Sequence, residues 1–174
     1  MTRKTNSQRA AAAAARHTEI MPWDVPDFLA EHPETLLRDI REREEFARAH
    51  VAGSLNVPRG ILESAAEWDY AETEPALVTA RDKPVLLICR SGQRSAFAAE
   101  RLLEMGFEDP RSVKLGIKGW NDAHQPRVDA TGAEVDGDVA MPVIELQPRP
   151  DQRIRVRQAP ARGLGPAAPG GVLR

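Results

Sequence analysis

At 174 residues, 41% hydrophobic and 29% charged with a net charge of −2, the chain has the composition of one globular domain plus extensions rather than of a disordered or fibrous protein. No apolar run approaches the roughly 20 residues that cross a bilayer, and the alanine run over 10–15 lacks leucine and ends at Arg16, a poor secretory signal. A single cysteine, Cys89, excludes an internal disulfide, a paired-cysteine redox motif and a cysteine-rich zinc site, and predicts a reducing, cytoplasmic setting.

Residues 1–19, with four basic side chains against one acid, are expected to form a disordered or loosely helical leader. Over 20–124, short apolar runs alternate with helical patterns, as in an α/β domain. The pattern predicts a short helix over 25–30 capped by Asp24, a strand over 36–40, and a helix over 42–49 whose first-turn acids suit its dipole. Residues 51–57 read as extended up to Pro58, and 61–68 and 75–80 as helical. Val85-Leu86-Leu87-Ile88 is the clearest strand: an unbroken apolar run fits a strand covered on both faces, hence a parallel sheet. A helix over 95–105 lines up Ala98, Ala99, Leu102 and Leu103 and stops at Gly106. A last short strand is expected over 112–115.

Beyond Trp120 the character changes. Residues 125–146 read as an extension, free or packed on the domain, with a hairpin around Thr131-Gly132 and an edge strand over 143–146. The tail over 147–174 has six arginines and one aspartate amid Pro and Gly; it is expected to lack fixed structure. Without aromatic side chains to stack on bases, it does not predict a nucleic-acid partner, and no membrane partner is expected.

The most informative segment is Cys89-Arg90-Ser91-Gly92-Gln93-Arg94-Ser95, set between the buried strand and the helix. Inward-turned amides and the positive end of a helix stabilise an anion there, and such surroundings favour a thiolate nucleophile. Gly92 lets the loop turn sharply, Arg90 and Arg94 offer charge to an incoming anion, and Ser95 can cap the helix. The alternative for Cys89 is an inert buried thiol, against which the flanking arginines and glycine speak.

Other residues read as structural. Asp39 and Arg41 suit a carboxylate and guanidinium pairing around the first turn, with Arg41 and Glu45 four apart as a helix-entry ion pair. His50 is better read as a hydrogen-bonded core histidine than as a base for Cys89. His17, His32 and His124 have no ligand spacing, and Asp129, Asp136 and Asp138 suit a polar turn rather than a calcium loop; no metal is expected. Trp120 reads as an apolar anchor.

Three segments together resemble the single-domain rhodanese family. They are Leu36-Leu37-Arg38-Asp39-Ile40-Arg41 with Glu44-Glu45-Phe46 and His50-Val51-Ala52-Gly53-Ser54-Leu55-Asn56-Val57-Pro58; the Cys89–Ser95 loop; and Met105-Gly106-Phe107 with Gly116-Ile117-Lys118-Gly119-Trp120. Arg38, Ala49, Ala52 and Leu115 stand where the family usually has an apolar residue, glycine, proline and glycine. The resemblance implies a parallel five-stranded sheet flanked by helices, with the site at the C-terminal ends of the strands. It also implies a sulfurtransferase in which Cys89 carries a sulfane sulfur as a persulfide.

The donor would be an anion such as thiosulfate, and the acceptor a thiol, free or on a protein, with cyanide as its substitute in the test tube. No cofactor is needed. The four residues between Cys89 and Arg94 make a ring too short for the tetrahedral oxyanion that related phosphatases hold with five. The rival from another class is a rhodanese-fold module that carries sulfur or binds a protein without turnover.

Overall fold

The computed structural model describes residues 3–153. Its core is one parallel sheet of five strands, β1 (Glu19–Ile20), β2 (Leu36–Asp39), β3 (Leu55–Asn56), β4 (Pro84–Ile88) and β5 (Asp109–Val113), ordered β1-β5-β4-β2-β3. The expected parallel five-stranded sheet with flanking helices is what the chain forms. β4 lies at the centre, where its unbroken apolar run belongs, because alternate side chains enter two separate cores. Val85, Leu87 and Cys89 face one layer with Leu62, Leu77, Ala98, Ala99 and Leu102. Leu86 and Ile88 face the other with Val25, Ile117, Trp120 and Ile144.

The helices are α1 (Asn6–Ala14), α2 (Val25–Glu31), α3 (Arg43–Arg48), α4 (Leu62–Ala65), α5 (Pro75–Val78), α6 (Gln93–Glu104), α7 (Gly116–Asp122) and α8 (Gly137–Ile144). α6 follows β4 directly and buries Ala98, Ala99 and Leu102 on the sheet. Gly106, at φ +85°, ends the connection in the left-handed region.

The structure departs from expectation at several places. Of the two forms expected of the leader, disordered or loosely helical, it takes the helical one, as a well-formed α1. Thr5 and Gln8 close a capping box at its start, Ala10 and Ala13 are buried, and Arg16 reaches Glu100 and Glu104 of α6 at 2.8 and 3.2 Å. Alanine, the best helix former, builds the helix, and its small side chains let it lie close to a neighbour. Asp24 makes no side-chain cap bond, since it sits in a 3₁₀ turn over Pro22–Asp24.

Residues 143–146 do not form an edge strand. Asp136 accepts from the amides of Asp138 and Val139 and starts α8, whose Ala140 and Ile144, four apart, enter the core against α7. Around Thr131-Gly132 the chain makes a tight turn closed on the Asp129 carboxylate, with only isolated bridges joining Val128 to His50 and Glu134. In the tail, a 3₁₀ turn over Pro150–Gln152 is present; the rest of that expectation, from residue 154, falls outside the described residues.

Candidate active site

The C-terminal ends of β2, β4 and β5 converge on the loop that begins at Cys89. The thiol is buried, with 1% of Cys89 exposed. The amides of Gly92 and Ser95 donate to its Sγ at 3.2 and 3.4 Å, and the Ser95 hydroxyl lies 3.5 Å away. Gly92 adopts φ +87°, and a Cβ there would come within 3.0 Å of the Leu115 amide nitrogen. Glycine is therefore needed both for the turn and for the close approach of β5's end.

The outside of the ring is held by α7. The amides of Ile117 and Lys118 donate to the carbonyls of Cys89 and Arg90 at 2.7 and 3.1 Å. With those oxygens turned outward onto α7, amides of the loop are free to point inward. Gly116 makes this possible: a Cβ on it would lie 2.3 Å from the Cys89 oxygen.

Ser95 does not cap α6. Gly92 occupies the N-cap position, while the Ser95 hydroxyl donates to the Gly92 carbonyl at 3.0 Å and meets the buried hydroxyl of Ser112 at 2.8 Å. Ser112, from β5, was not singled out from sequence. No local signal marks it, because β5 reads Asp-Pro-Arg-Ser-Val and only the fold buries Ser112 beside Ser95.

The Asp39–Arg41 pairing forms, but the helix-entry pair of Arg41 with Glu45 does not. Arg41 does not pair with Glu45; it turns back onto Asp39, Nη2 to Oδ2 at 2.6 Å, and also donates to the Ala49 carbonyl at 2.7 Å, all fully buried. Glu45 instead grips Arg94 through two 2.8 Å hydrogen bonds. Burial alone would push the Glu45 carboxyl up, but the Arg94 bonds, the Glu42 amide and the charges of Arg94 and Arg41 outweigh it and hold it below its ordinary value. Arg94 is correspondingly raised, chiefly by its hydrogen bonds to Glu45, with the Cys89 charge adding to the same effect. Glu45 thus steadies the loop from the side of β2.

The remaining loop residues face outward. Gln93 turns to α1, accepting from Asn6 at 2.6 Å. Ser91 is exposed, and Arg90 is half-buried with no side-chain partner among the described residues. A cavity of about 470 Å³ lies between the loop, Lys114, Leu115 and α1, and another of about 480 Å³ lies between Arg90 and the segment after α8. His50 is a core histidine, with Nδ1 2.9 Å from the Phe46 carbonyl and its ring stacked on Phe46. Trp120 is buried, donating to the Pro126 carbonyl at 2.8 Å. No cluster of metal-ligating side chains is found among the described residues.

Of the family's unusual positions, Ala49 needs no glycine, being extended at φ −165°. Leu115 adopts φ +65°, a left-handed conformation that disfavours a leucine. Arg38 is 3% exposed: Nη1 reaches the Leu37 carbonyl at 3.3 Å, while Nε and Nη2 have no partner among the described residues, and burial pushes its guanidinium down despite the charge of Glu74.

Comparison with known proteins points to one family. The family model for the rhodanese-like domain matches residues 25–123. The adenylyltransferase and sulfurtransferase uba4 of Pyricularia oryzae is 32% identical over 108 residues, 58% of this chain but only 22% of that protein. Thiosulfate sulfurtransferase GlpE of Coxiella burnetii is 28% identical over 102 residues, 59% of this chain and 85% of that protein. Among solved structures, the human single-domain sulfurtransferase TSTD1 superposes with a TM-score of 0.52 at 26% identity, covering 60% of this chain and 95% of that one.

Proposed function

The chain belongs to the rhodanese-like domain family, and on that premise we propose that it is a sulfurtransferase working through Cys89. The observation that carries this reading is the pair of amides, from Gly92 and Ser95, aimed at one buried sulfur. Main-chain donors held this way stabilise an anion without reorganising as it forms.

In the first step the Cys89 thiolate attacks the outer sulfur of thiosulfate. A Cys89 sulfur–sulfur bond forms, the donor's own sulfur–sulfur bond breaks, and sulfite leaves with the electron pair. In the second, a thiolate, or cyanide in the assay, attacks the outer persulfide sulfur, and Cys89 departs as thiolate. The sequence has no second cysteine, so the acceptor comes from outside. Arg94, engaged by Glu45, shapes the ring and contributes charge from its rim. An arginine committed in this way does not suit phosphatase chemistry, which needs a free guanidinium on the transferred oxyanion.

Incubation with thiosulfate and cyanide tests the proposal: thiocyanate should form with the wild type and not with Cys89→Ala. A wild type that forms none, or a variant that forms as much, would refute it. The depth of Cys89, at 1% exposure, also favours a persulfide long-lived enough to be carried to a protein acceptor. Mass spectrometry showing stable added sulfur on Cys89 without turnover would favour that carrier role.

A further inference from the structure

We propose that the segment following α8 builds an anion subsite beside the loop, and that the thiol accepting sulfur from Cys89 bears a carboxylate that docks there. This rests on the sulfurtransferase reading. The argument starts from the charges around the mouth. Arg94 is paired with Glu45 at 2.8 Å, Lys114 with Glu19 at 3.3 Å, Lys118 with Glu145, and Arg149 with Asp151 at 3.3 Å. Arg90, the neighbour of the nucleophile, makes no ion pair among the described residues although it is half-buried. Its main chain is pinned by the Lys118 amide at 3.1 Å, so the side chain is presented from a rigid base.

Arg90 lines two adjoining cavities that share Leu146 and Gln147 in the opposite wall. The smaller, about 140 Å³, reaches Ser91 of the loop and holds the paired Lys118 and Glu145; the larger, about 480 Å³, adds Pro148, Arg149 and Gln152. These wall residues lie outside the 25–123 match to the family, so the subsite is an addition of this chain. The larger cavity is in the range that holds small organic ligands and has more room than thiosulfate requires. A guanidinium without a counter-ion in a cleft is matched best by a carboxylate, which it can hold bidentately. The Arg149–Asp151 pair, 69% and 66% exposed, is loose enough to turn toward a second carboxylate.

The carboxylate takes no part in bond making. The acceptor thiolate attacks the outer sulfur, the new sulfur–sulfur bond forms as the bond to Cys89 breaks, and the acceptor leaves as its own persulfide.

The test compares mercaptosuccinate with 2-mercaptoethanol as acceptors for full-length protein in steady-state turnover with saturating thiosulfate. At low ionic strength the wild type should show a KM for mercaptosuccinate about fivefold lower, and the gap should shrink with added salt. Gln147→Glu, at an exposed position, supplies Arg90 with a competing carboxylate and should close the gap. Arg90→Gln should close it without that competition. Equal KM values in the wild type, or a gap that survives Gln147→Glu, would overturn the subsite. Absence of thiocyanate formation by the wild type is a separate result that defeats the sulfurtransferase reading itself.

Discussion

Glu45 holds both terminal nitrogens of Arg94 at 2.8 Å, tying α3 to the first turn of α6 across 49 residues of sequence. The pair is partly sheltered, with 21% and 33% of the two side chains exposed. It is the contact by which the β2 side of the sheet steadies the Cys89 loop.

Replacing Glu45 by glutamine should therefore cost about 1 kcal/mol near neutral pH and slow thiocyanate formation by loosening the ring. The Glu45 carboxyl is held below its ordinary value in the folded chain, so its contribution is fully present above the unfolded carboxylate range, near about pH 4.3. That contribution is lost as pH falls through the lower folded value. Urea titrations of both proteins across acid pH should show a stability gap that is constant at high pH and disappears on strong acidification. A gap that widened on acidification would contradict this.

Gly116→Ala should be severe. The added methyl carbon would meet the Cys89 oxygen at 2.3 Å and the Arg90 carbonyl carbon at 2.7 Å, all backbone, at φ +58°. Destabilisation of roughly 3 kcal/mol, or a displaced loop without sulfur transfer, is expected. Chemical denaturation and the thiosulfate assay together read it, and near-normal values in both would show that α7 does not clamp the loop.

Arg38 makes the opposite prediction. It is buried with two unpartnered nitrogens and a charge that burial disfavours. Arg38→Met fills similar volume without that charge, and it should raise the unfolding free energy by about 1 kcal/mol or more. A loss of stability in denaturant titration would show that the guanidinium is satisfied after all.

For α1, Ala13→Glu puts a carboxylate where the native side chain is 1% exposed. The helix should detach from α6 at a cost of roughly 2 kcal/mol, measured as faster amide exchange over Asn6–Ala14 with the sheet unchanged. Exchange no faster than in the wild type would place α1 elsewhere.

Local patterns made the sheet and the reactive loop legible. Val85 to Ile88 is apolar at every position, and only a strand covered on both sides uses such a run. The loop was legible because its glycine and cysteine sit where a strand gives way to a helix. What could not be read depended on partners distant in sequence. Glu45, four residues after Arg41, reads as its partner in a helix-entry ion pair, yet the fold gives it to Arg94, 49 residues on, while Arg41 keeps Asp39. Ser95 was taken for a cap by its residue type, yet Gly92 holds that position and Ser112 claims the hydroxyl. The Val143 region mimicked a strand through its β-branched residues, while the Asp136 cap and tertiary burial of Ala140 and Ile144 made it helical.

The clamp from α7 has a consequence for engineering. Because Ile117 and Lys118 take up the outward oxygens of Cys89 and Arg90, the shape of the Cys89–Ser95 heptapeptide is dictated by a helix two dozen residues downstream. Transplanted alone into a foreign scaffold, those seven residues would keep their sulfur but lose their geometry. A functional graft has to bring the Gly116 turn along with the loop.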